Sequence, residues 1–182
     1  MHEQASETLA VRQDTVEPPR LALERGAMLT AVSAGGCGYC ATSDLSVAGL
    51  QAALDRAATW AEATRAASVP GFDPQKMPVP RGAYESPALE DNPGRGALLD
   101  LLAAECRAAR IGPRIVERTA ALSIVDEQRL YFTNTGGELR QRFRSVLPQL
   151  SVTAAEGAQA QTRSLEHAEQ GGFELIARAG LS

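Results

Sequence analysis

The sequence predicts an α+β fold in which two main helices pack on one or more antiparallel sheets. Residues 46–67 and 97–110 carry apolar side chains at three- and four-residue spacing, the period of an amphipathic helix. From Arg114 onward, apolar and polar residues alternate as they do in half-buried strands. Short turn-forming steps separate the alternating segments, so consecutive antiparallel strands are expected at 114–125, 129–133, 138–147 and about 150–162.

The chain is predicted to begin with strands. Residues 5–13 alternate in the manner of an edge strand, and residues 14–19 form a turn, because Pro18 and Pro19 cannot both serve a central ladder. Residues 20–34 are predicted to be a strand, a break at Gly26 and a second strand. The opening is therefore expected to be a short antiparallel meander.

The first helix is predicted to start shortly after a glycine-broken strand end. Ser43, Asp44 and Ser46 are short polar residues that can accept hydrogen bonds from the free N–H groups of a first helical turn. The apolar stripe beyond them consists of Leu50, Leu54, Ala57, Ala58 and Ala61. This strand and helix are the elements around which the rest of the chain is organised.

Cys37 and Cys40 form a C-x-x-C pair at the end of that strand. In a thioredoxin-like site, the two thiols lie at a helix N-terminus, which lowers the pKa of the first thiol. Here the helix begins after Cys40, so both cysteines are predicted to lie on extended backbone, where residues three apart point to opposite faces. Such a geometry disfavours a disulfide and a shared metal ion. A zinc site needs four ligands, and adding Cys106, His2 and His167 supplies no second closely spaced pair.

Residues 68–96 form a proline-rich connection. Six prolines in this stretch exclude a helix interior and a sheet ladder, which leaves an extended segment; they are Pro70, Pro74, Pro78, Pro80, Pro87 and Pro93. A surface strap and a peptide-recognition element are both open interpretations. The helix that follows ends at Gly112-Pro113, and Cys106 on its apolar stripe is predicted to lie in the core.

Two tight turns are predicted among the C-terminal strands, at 126–128 and at 134–137. His167 is expected to be exposed in a helix or loop. On the strand after the second turn, Arg140, Arg142 and Arg144 share one face. These arginines form either a solvated face or a docking surface for an acidic partner.

Composition bounds the class of protein. The chain has 182 residues, of which 44% are hydrophobic and only 4% aromatic, so it can form a domain with a core of small side chains. A net charge of −4 argues against broad nucleic-acid binding, which requires a basic face. Three cysteines form no disulfide framework, no apolar run approaches the roughly 20 residues of a membrane span, and the polar start is not a signal peptide. A soluble cytoplasmic protein is expected.

Three motifs occur in order along the chain. Residues 41–46 (Ala-Thr-Ser-Asp-Leu-Ser) start the first helix, residues 78–87 lie in the proline-rich connection, and residues 131–137 (Tyr-Phe-Thr-Asn-Thr-Gly-Gly) form a hairpin. In this order they resemble the N-terminal half of the TldD/PmbA family, the proteins once called modulators of DNA gyrase. The corresponding family motifs are a Thr-Asn-Asp-Leu-Ser-like helix start, a proline-rich connection and an Asn-Ser-x-Gly-like hairpin. The resemblance covers residues 5–175.

The resemblance implies a zinc metallopeptidase system, in which TldD-like and TldE-like subunits form a dimer around a peptide-holding cavity. In TldD-type members, a helical H-E-x-x-x-H pattern in the C-terminal half supplies two zinc ligands and the glutamate that activates the metal-bound water. That pattern does not occur in this sequence: His2-Glu3 has no second histidine at the needed position, and His167 is followed by Ala168. No catalytic, cofactor-binding or metal residue is therefore assigned, and zinc is expected only in the catalytic half of the family.

The leading hypothesis is an N-terminal, substrate-enclosing and dimerisation domain of a TldD/TldE-type zinc metallopeptidase that is not catalytic on its own. Residues 1–175 are assigned to this domain, and 176–182 to the truncated start of the next one. The chain is expected to be truncated at its front and its end, to be a gene fragment, or to be a degenerate member. Its expected partners are a TldD-like or TldE-like subunit and a peptide substrate, with no nucleic acid and no membrane.

Two alternatives from other functional classes remain. One is a thiol–disulfide oxidoreductase that uses Cys37 and Cys40. The other is a non-enzymatic interaction module whose sheet docks a partner through Arg140, Arg142 and Arg144.

Overall fold

The computed structural model describes residues 1–67 and 78–180, which form nine strands and three α-helices. The strands are β1 (His2–Arg12), β2 (Thr15–Val16), β3 (Arg20–Ser33), β4 (Gly36–Thr42), β5 (Arg81–Glu85), β6 (Ile115–Phe132), β7 (Glu138–Glu156), β8 (Gln159–Glu166) and β9 (Glu169–Gln170). The helices are α1 (Val47–Ala63), α2 (Arg95–Ala108) and α3 (Glu174–Arg178), and a 3₁₀ turn at Arg65–Ala67 follows α1. None of the helices in the described ranges has the length and apolarity needed to cross a membrane.

The sheet has the strand order β4-β3-β1-β6-β7-β5, with β2 paired to β1 and both β8 and β9 paired to β7. The registers of β1 with β2, β3 with β4, and β7 with β8 and β9 are antiparallel. The predicted α+β fold with an antiparallel sheet and two main helices is therefore confirmed.

The chain divides into two compact units that interleave along the sequence. The first comprises the described residues of 1–3, 24–84 and 128–141, and the second those of 4–23, 85–127 and 142–182. The assignment of 1–175 to one domain stays a prediction. Leu175 and Ile176 lie in the core of the second unit.

In the first unit, α1 packs directly on the backbone of β4. A Cβ atom at Gly38 would lie 2.1 Å from the Ala57 carbonyl oxygen, and one at Gly36 would lie 2.0 Å from that of Ala61. The buried face of α1 consists of Ala53, Ala57 and Ala61. The small residues on both elements thus allow the backbones of α1 and β4 to approach closely. Any side chain larger than hydrogen at Gly36 or Gly38 would prevent this approach.

Both ends of α1 are held by side chains. Ser46 is the N-cap, and its Oγ accepts a hydrogen bond from the Gly49 N–H at 3.1 Å, so the predicted helix start is confirmed. Hydrogen bonds from the side chain and the backbone N–H of Ser46 lower the pKa of Asp44. At the other end, the Thr64 hydroxyl accepts from the Cys37 N–H at 3.0 Å and donates to the Cys37 carbonyl oxygen at 2.9 Å. Thr64 thereby covers part of the outer edge of β4, which is the end strand of the sheet.

In the second unit, α2 covers the hydrophobic core. Cys106 is fully buried on the inner face of α2, as predicted. The core residues come from β1, β6, β7, α2 and the segment around α3; the fully or nearly fully buried ones include Leu9, Val11, Leu98, Leu102, Leu122, Val146 and Leu175.

Two predictions about the opening strands are wrong. β1 is not an edge strand, because it lies between β3 and β6 in the sheet. β3 does not break at Gly26 but continues from Arg20 to Ser33. A Cβ at Gly26 would lie 3.1 Å from the Thr42 carbonyl oxygen, so this glycine permits a close approach of two strands and does not interrupt one.

The predicted turn at 126–128 is also wrong, since β6 runs through it without interruption. Asp126 accepts a hydrogen bond from Arg144 Nε on β7 at 2.8 Å. This cross-strand ion pair supports extended backbone where the local residue types alone favour a turn.

β7 likewise continues through the predicted break near Pro148. The Pro148 carbonyl oxygen accepts from the His167 N–H at 3.2 Å, so the polar side of this residue faces the segment between β8 and β9. The N–H that proline lacks would point at the same gap, where no ladder bond is lost. The actual hairpin turn lies at Gly157, which has a φ of 60°.

The proline-rich connection contains a strand that the sequence analysis excluded. Residues 68–77 lie outside the described residues, but 81–85 form β5 between Pro80 and Pro87. The five residues contain no proline, so β5 can pair with β7. The pairing extends to Ser86, whose N–H donates to the Arg142 carbonyl oxygen at 2.9 Å.

Glu174 fastens the segment before α2 to the start of α3. Its carboxylate accepts hydrogen bonds from the N–H groups of Leu89, Glu90 and Gly172 at 3.2, 3.1 and 2.9 Å. Burial raises the pKa of Glu174, but the backbone N–H donors together outweigh it, so the pKa lies below its ordinary value.

Because the pKa of Glu174 is lower in the folded than in the unfolded protein, its carboxylate stabilises the fold at pH values above its pKa in the unfolded protein. This stabilisation is lost as the pH falls through the pKa of Glu174 in the folded protein. We therefore expect Glu174→Gln to lower the urea midpoint at about pH 7, and the difference from the wild type to shrink at about pH 3. Glu24→Gln, an exposed glutamate on β3, is the matched control. An equal deficit at both pH values would contradict the prediction.

Candidate functional site

An open groove of about 540 Å³ lies beside β5 in the first unit. Its walls come from β5, from the turn between β6 and β7, and from the start of β7; the lining residues are Arg81, Gly82, Ala83, Gly136, Glu138 and Arg140. All residues of β5 are exposed. In the described part of the chain β5 ends the strand order, so β7 is its one neighbouring strand.

The backbone of β5 presents hydrogen-bonding groups on its open side. The Pro80 carbonyl oxygen accepts from the Glu138 N–H at 2.8 Å and therefore faces β7. In a strand, the N–H and C=O of one residue point to the same side, and successive residues alternate sides. Arg81 and Ala83 consequently direct their backbone groups away from β7. An extended peptide can add to such an edge as a further strand.

The turn at one end of the groove is the predicted hairpin of residues 134–137, which is confirmed. The Thr133 N–H donates to the Gly137 carbonyl oxygen at 3.0 Å, and the Gly137 N–H donates to Thr133 Oγ1 at 2.8 Å. Gly136 has a φ of 91°, a conformation that favours glycine.

Arg81 and Arg140 supply the positive charge of the groove. Arg81 Nε donates to the Gly136 carbonyl oxygen at 2.8 Å, and a Cβ at Gly136 would lie 2.8 Å from Arg81 Nη2. The guanidinium therefore rests on the glycine turn. Arg140 Nε donates to Glu138 Oε1 at 2.7 Å. Two guanidinium groups and one carboxylate give the lining a net positive charge.

The three arginines predicted to share one face of β7 each have a carboxylate partner. Arg140 pairs with Glu138 in the first unit. In the second unit, Arg142 Nη1 lies 3.6 Å from Glu85, and Arg144 pairs with Asp126. The hydrogen bond that Arg144 donates to Asp126 raises the pKa of Arg144, and burial opposes this rise in part. Ion pairing thus neutralises much of the basic face that the sequence suggested.

Cys37 and Cys40 both lie on β4, which keeps a regular register with β3 from Gly36 to Thr42. The predicted extended backbone is confirmed. Gly36 and Gly38 face α1, so by alternation Cys37 points away from the helix and Cys40 towards it. Both thiols are free. This arrangement separates the two sulfur atoms across the sheet and does not favour thiol–disulfide chemistry within the pair.

The two histidines are far apart in the sequence and belong to different local settings. His2 starts β1, and His167 lies between β8 and β9, where its Nε2 is 3.0 Å from Glu169 Oε2. Across residues 1–67 and 78–180, no three His, Cys, Asp or Glu side chains come together as a group that could hold a metal ion.

Sequence reasoning missed Arg81 and the open edge of β5. The available signal was the stretch of six residues without proline, 81–86, between Pro80 and Pro87; the prediction treated the whole connection as irregular. It also looked for the function of residues 36–40 in the two cysteines, whereas Gly36 and Gly38 make the close contacts with α1.

Comparison with protein families finds a match to the first third of the chain. Residues 1–61 match the family described as PmbA/TldA metallopeptidase domain 1. No curated protein matches the sequence.

Comparison with solved structures finds the same fold in longer proteins. A protein from Thermotoga maritima assigned as a modulator of a DNA gyrase superimposes with a TM-score of 0.67 at 13% identity, over 99% of this chain and 40% of its own. One from Bacteroides thetaiotaomicron, assigned likewise, gives a TM-score of 0.67 at 14% identity, over 93% and 40%. TldE from Thermococcus kodakarensis gives 0.58 at 11% identity, over 93% and 38%. The chain spans about 40% of the length of these structures, and the likeness at this identity concerns the fold.

Proposed function

Residues 1–61 match the first domain of the PmbA/TldA metallopeptidase family, and from that match we propose that the chain is the N-terminal, substrate-enclosing domain of a TldD/TldE-type zinc metallopeptidase. In this role it holds an extended peptide and does not hydrolyse it by itself. The fold of longer TldE and gyrase-modulator structures supports the placement of this domain within a larger assembly.

The open edge of β5 is the observation that supports peptide holding. Arg81 and Ala83 carry backbone N–H and C=O groups on the side away from β7, and the groove beside them has room for side chains. Main-chain pairing supplies affinity without demanding one particular sequence. Such a strand suits a domain that receives unfolded peptides.

Replacing Ala83 by proline is expected to weaken peptide binding about tenfold, because proline removes the outward N–H and obstructs pairing on that edge. Gly82 precedes this position, and the residue before a proline is least restricted when it is glycine. The main-chain hydrogen bonds between β5 and β7 come from the neighbours of Ala83 and not from Ala83 itself, so the fold is retained. The measurement is fluorescence anisotropy with a rhodamine-labelled, unstructured peptide of alternating serine and glutamine.

Ala83→Ser is the matched control, because it keeps the N–H and a small side chain. It is expected to bind like the wild type. Equal binding by Ala83→Pro and Ala83→Ser would show that the peptide does not pair with β5, and the proposal would lose its main support.

The absence of hydrolysis is tested on the same samples. The purified chain is incubated with the peptide and zinc, and mass spectrometry measures how much peptide remains intact. We expect complete recovery, since the helical H-E-x-x-x-H pattern does not occur in this sequence. Zinc-dependent cleavage that co-purifies with the chain would overturn this part of the proposal.

The proposal also includes a TldD-like or TldE-like partner subunit and a cytoplasmic location. Family membership supports the partner, and the three free cysteines support a reducing compartment. Sedimentation velocity of the chain, alone and mixed with a TldD-like subunit, measures whether a dimer forms. A chain that stays monomeric in both experiments would remove dimerisation from the proposed role.

A further inference from the structure

We propose that the groove beside β5 prefers peptides with acidic side chains, and that Arg81 is the residue that recognises their carboxylates. This inference rests on the proposed peptide-holding function and names the substrate class. It concerns the lining of one groove in the first unit.

Arg81 is held in place before any ligand binds. Its Nε donates to the Gly136 carbonyl oxygen, and its Nη2 lies over Gly136. The hairpin turn requires the positive φ of this glycine. A guanidinium has five N–H donors in a planar fork, and this contact uses the Nε donor. The Nη groups match the two oxygens of a carboxylate. A fixed guanidinium loses less side-chain entropy on binding than a mobile one.

The backbone and side chain of Arg81 act at the same place. Its main-chain N–H and C=O face the open edge, while its side chain lines the groove. Side chains directly opposite each other on paired strands have Cβ atoms about 5 Å apart. A peptide residue paired with Arg81 therefore has its Cβ about 5 Å from that of Arg81, and a glutamate side chain can extend from there towards the guanidinium.

Charge complementarity selects a carboxylate as that side chain. The groove contains Arg81 and Arg140 but one carboxylate, Glu138, although the whole chain has a net charge of −4. Glu138 pairs with Arg140 at 2.7 Å. The groove lining therefore compensates the charge of Arg81 less than that of Arg140. An acidic peptide side chain would balance it.

The test compares two rhodamine-labelled peptides of equal length, one alternating serine with glutamate and one alternating serine with glutamine. At low salt, the wild type is expected to bind the glutamate peptide about tenfold more tightly, and raising the salt concentration should reduce this preference. Arg81→Gln is expected to abolish the preference, so that the variant binds the two peptides with equal affinity. Glu138→Gln, which removes the competing carboxylate, is expected to increase the preference for the glutamate peptide.

Arg114→Gln is the matched control, because Arg114 is an exposed arginine paired with Glu156 in the second unit, outside the groove. It should keep the full preference. Equal affinity of the wild type for both peptides, or a preference that survives Arg81→Gln, would overturn the inference. The proposed function would then still stand if Ala83→Pro weakened binding of both peptides. If neither peptide bound, both the inference and the proposed function would be wrong.

Discussion

Gly38→Ala is expected to lower the free energy of unfolding by about 3 kcal/mol, at the upper end of the range for overpacked sites. The new Cβ would lie 2.1 Å from the Ala57 carbonyl oxygen, 2.5 Å from the Ala61 nitrogen and 2.7 Å from Trp60 Cβ. Two of these atoms belong to the helix backbone, so no side-chain rotation relieves the clash. α1 must move away from β4, and the buried alanine face of the helix then loses its contact.

Trp60 makes this effect easy to measure, because it is the single tryptophan of the chain and lies on α1 next to Gly38. Urea unfolding followed by tryptophan fluorescence and by circular dichroism gives the change in stability. Gly96→Ala, in the first turn of α2 with no atom within 4 Å of the new Cβ, is expected to be neutral or to stabilise by up to about 1 kcal/mol.

Cys37→Ser is the second comparison, at an exposed position on the same strand. It is expected to change stability by no more than about 0.5 kcal/mol. A Gly38→Ala variant as stable as Cys37→Ser would show that α1 does not pack against the backbone of β4 as described.

Asp14→Asn is expected to destabilise the protein by about 2–3 kcal/mol, because it removes the partner of a buried charge. Arg118 is only 4% exposed, and its Nη2 donates to Asp14 Oδ2 at 2.7 Å. Within the described residues, Arg118 Nε is buried without a hydrogen-bond partner, so Asp14 carries much of the compensation. The Asp14 side chain is 42% exposed, and solvent screening places the expected cost below that of a fully buried pair.

Asparagine is the suitable replacement because Asp14 has a φ of 68°, which asparagine tolerates better than alanine. The double variant with Arg118→Met removes the buried charge together with its partner. It is expected to cost about 1 kcal/mol or less relative to the wild type, so the two substitutions should be strongly non-additive. The measurement is a double-mutant cycle by urea unfolding. A double variant less stable than Asp14→Asn alone would contradict the assigned role of this pair.

Several features of the fold were predictable because short stretches of sequence specify them. The cap at Ser46, the hairpin at 134–137 and the alternation of β4 depend on neighbours a few residues apart. The resemblance to the TldD/PmbA family, carried by such local motifs, is confirmed over residues 1–61. Local sequence also predicted that Cys37 and Cys40 lie on a strand, which weakens the thiol–disulfide alternative.

Other features depend on residues distant in the sequence. β6 passes through Asp126 because Arg144 on the next strand pairs with it, and β7 passes through Pro148 because the proline nitrogen faces the gap between two partner strands. β5 is a strand because β7 offers it an edge. No pattern within these segments contains that information, since turn propensity is weaker than tertiary pairing.

From the sequence alone, then, come the α+β class, the helix start at Ser46, the hairpin at 134–137, the family resemblance and the lack of the family's zinc pattern in this chain. The tertiary structure alone decided that the glycines around Cys37 serve the packing of α1, and that Arg81 meets Gly136 in a groove beside an open strand edge. The physical reason is distance along the chain. Capping and turn preferences act between residues a few positions apart, whereas a groove exists only after residues separated by 55 positions are brought together by the sheet.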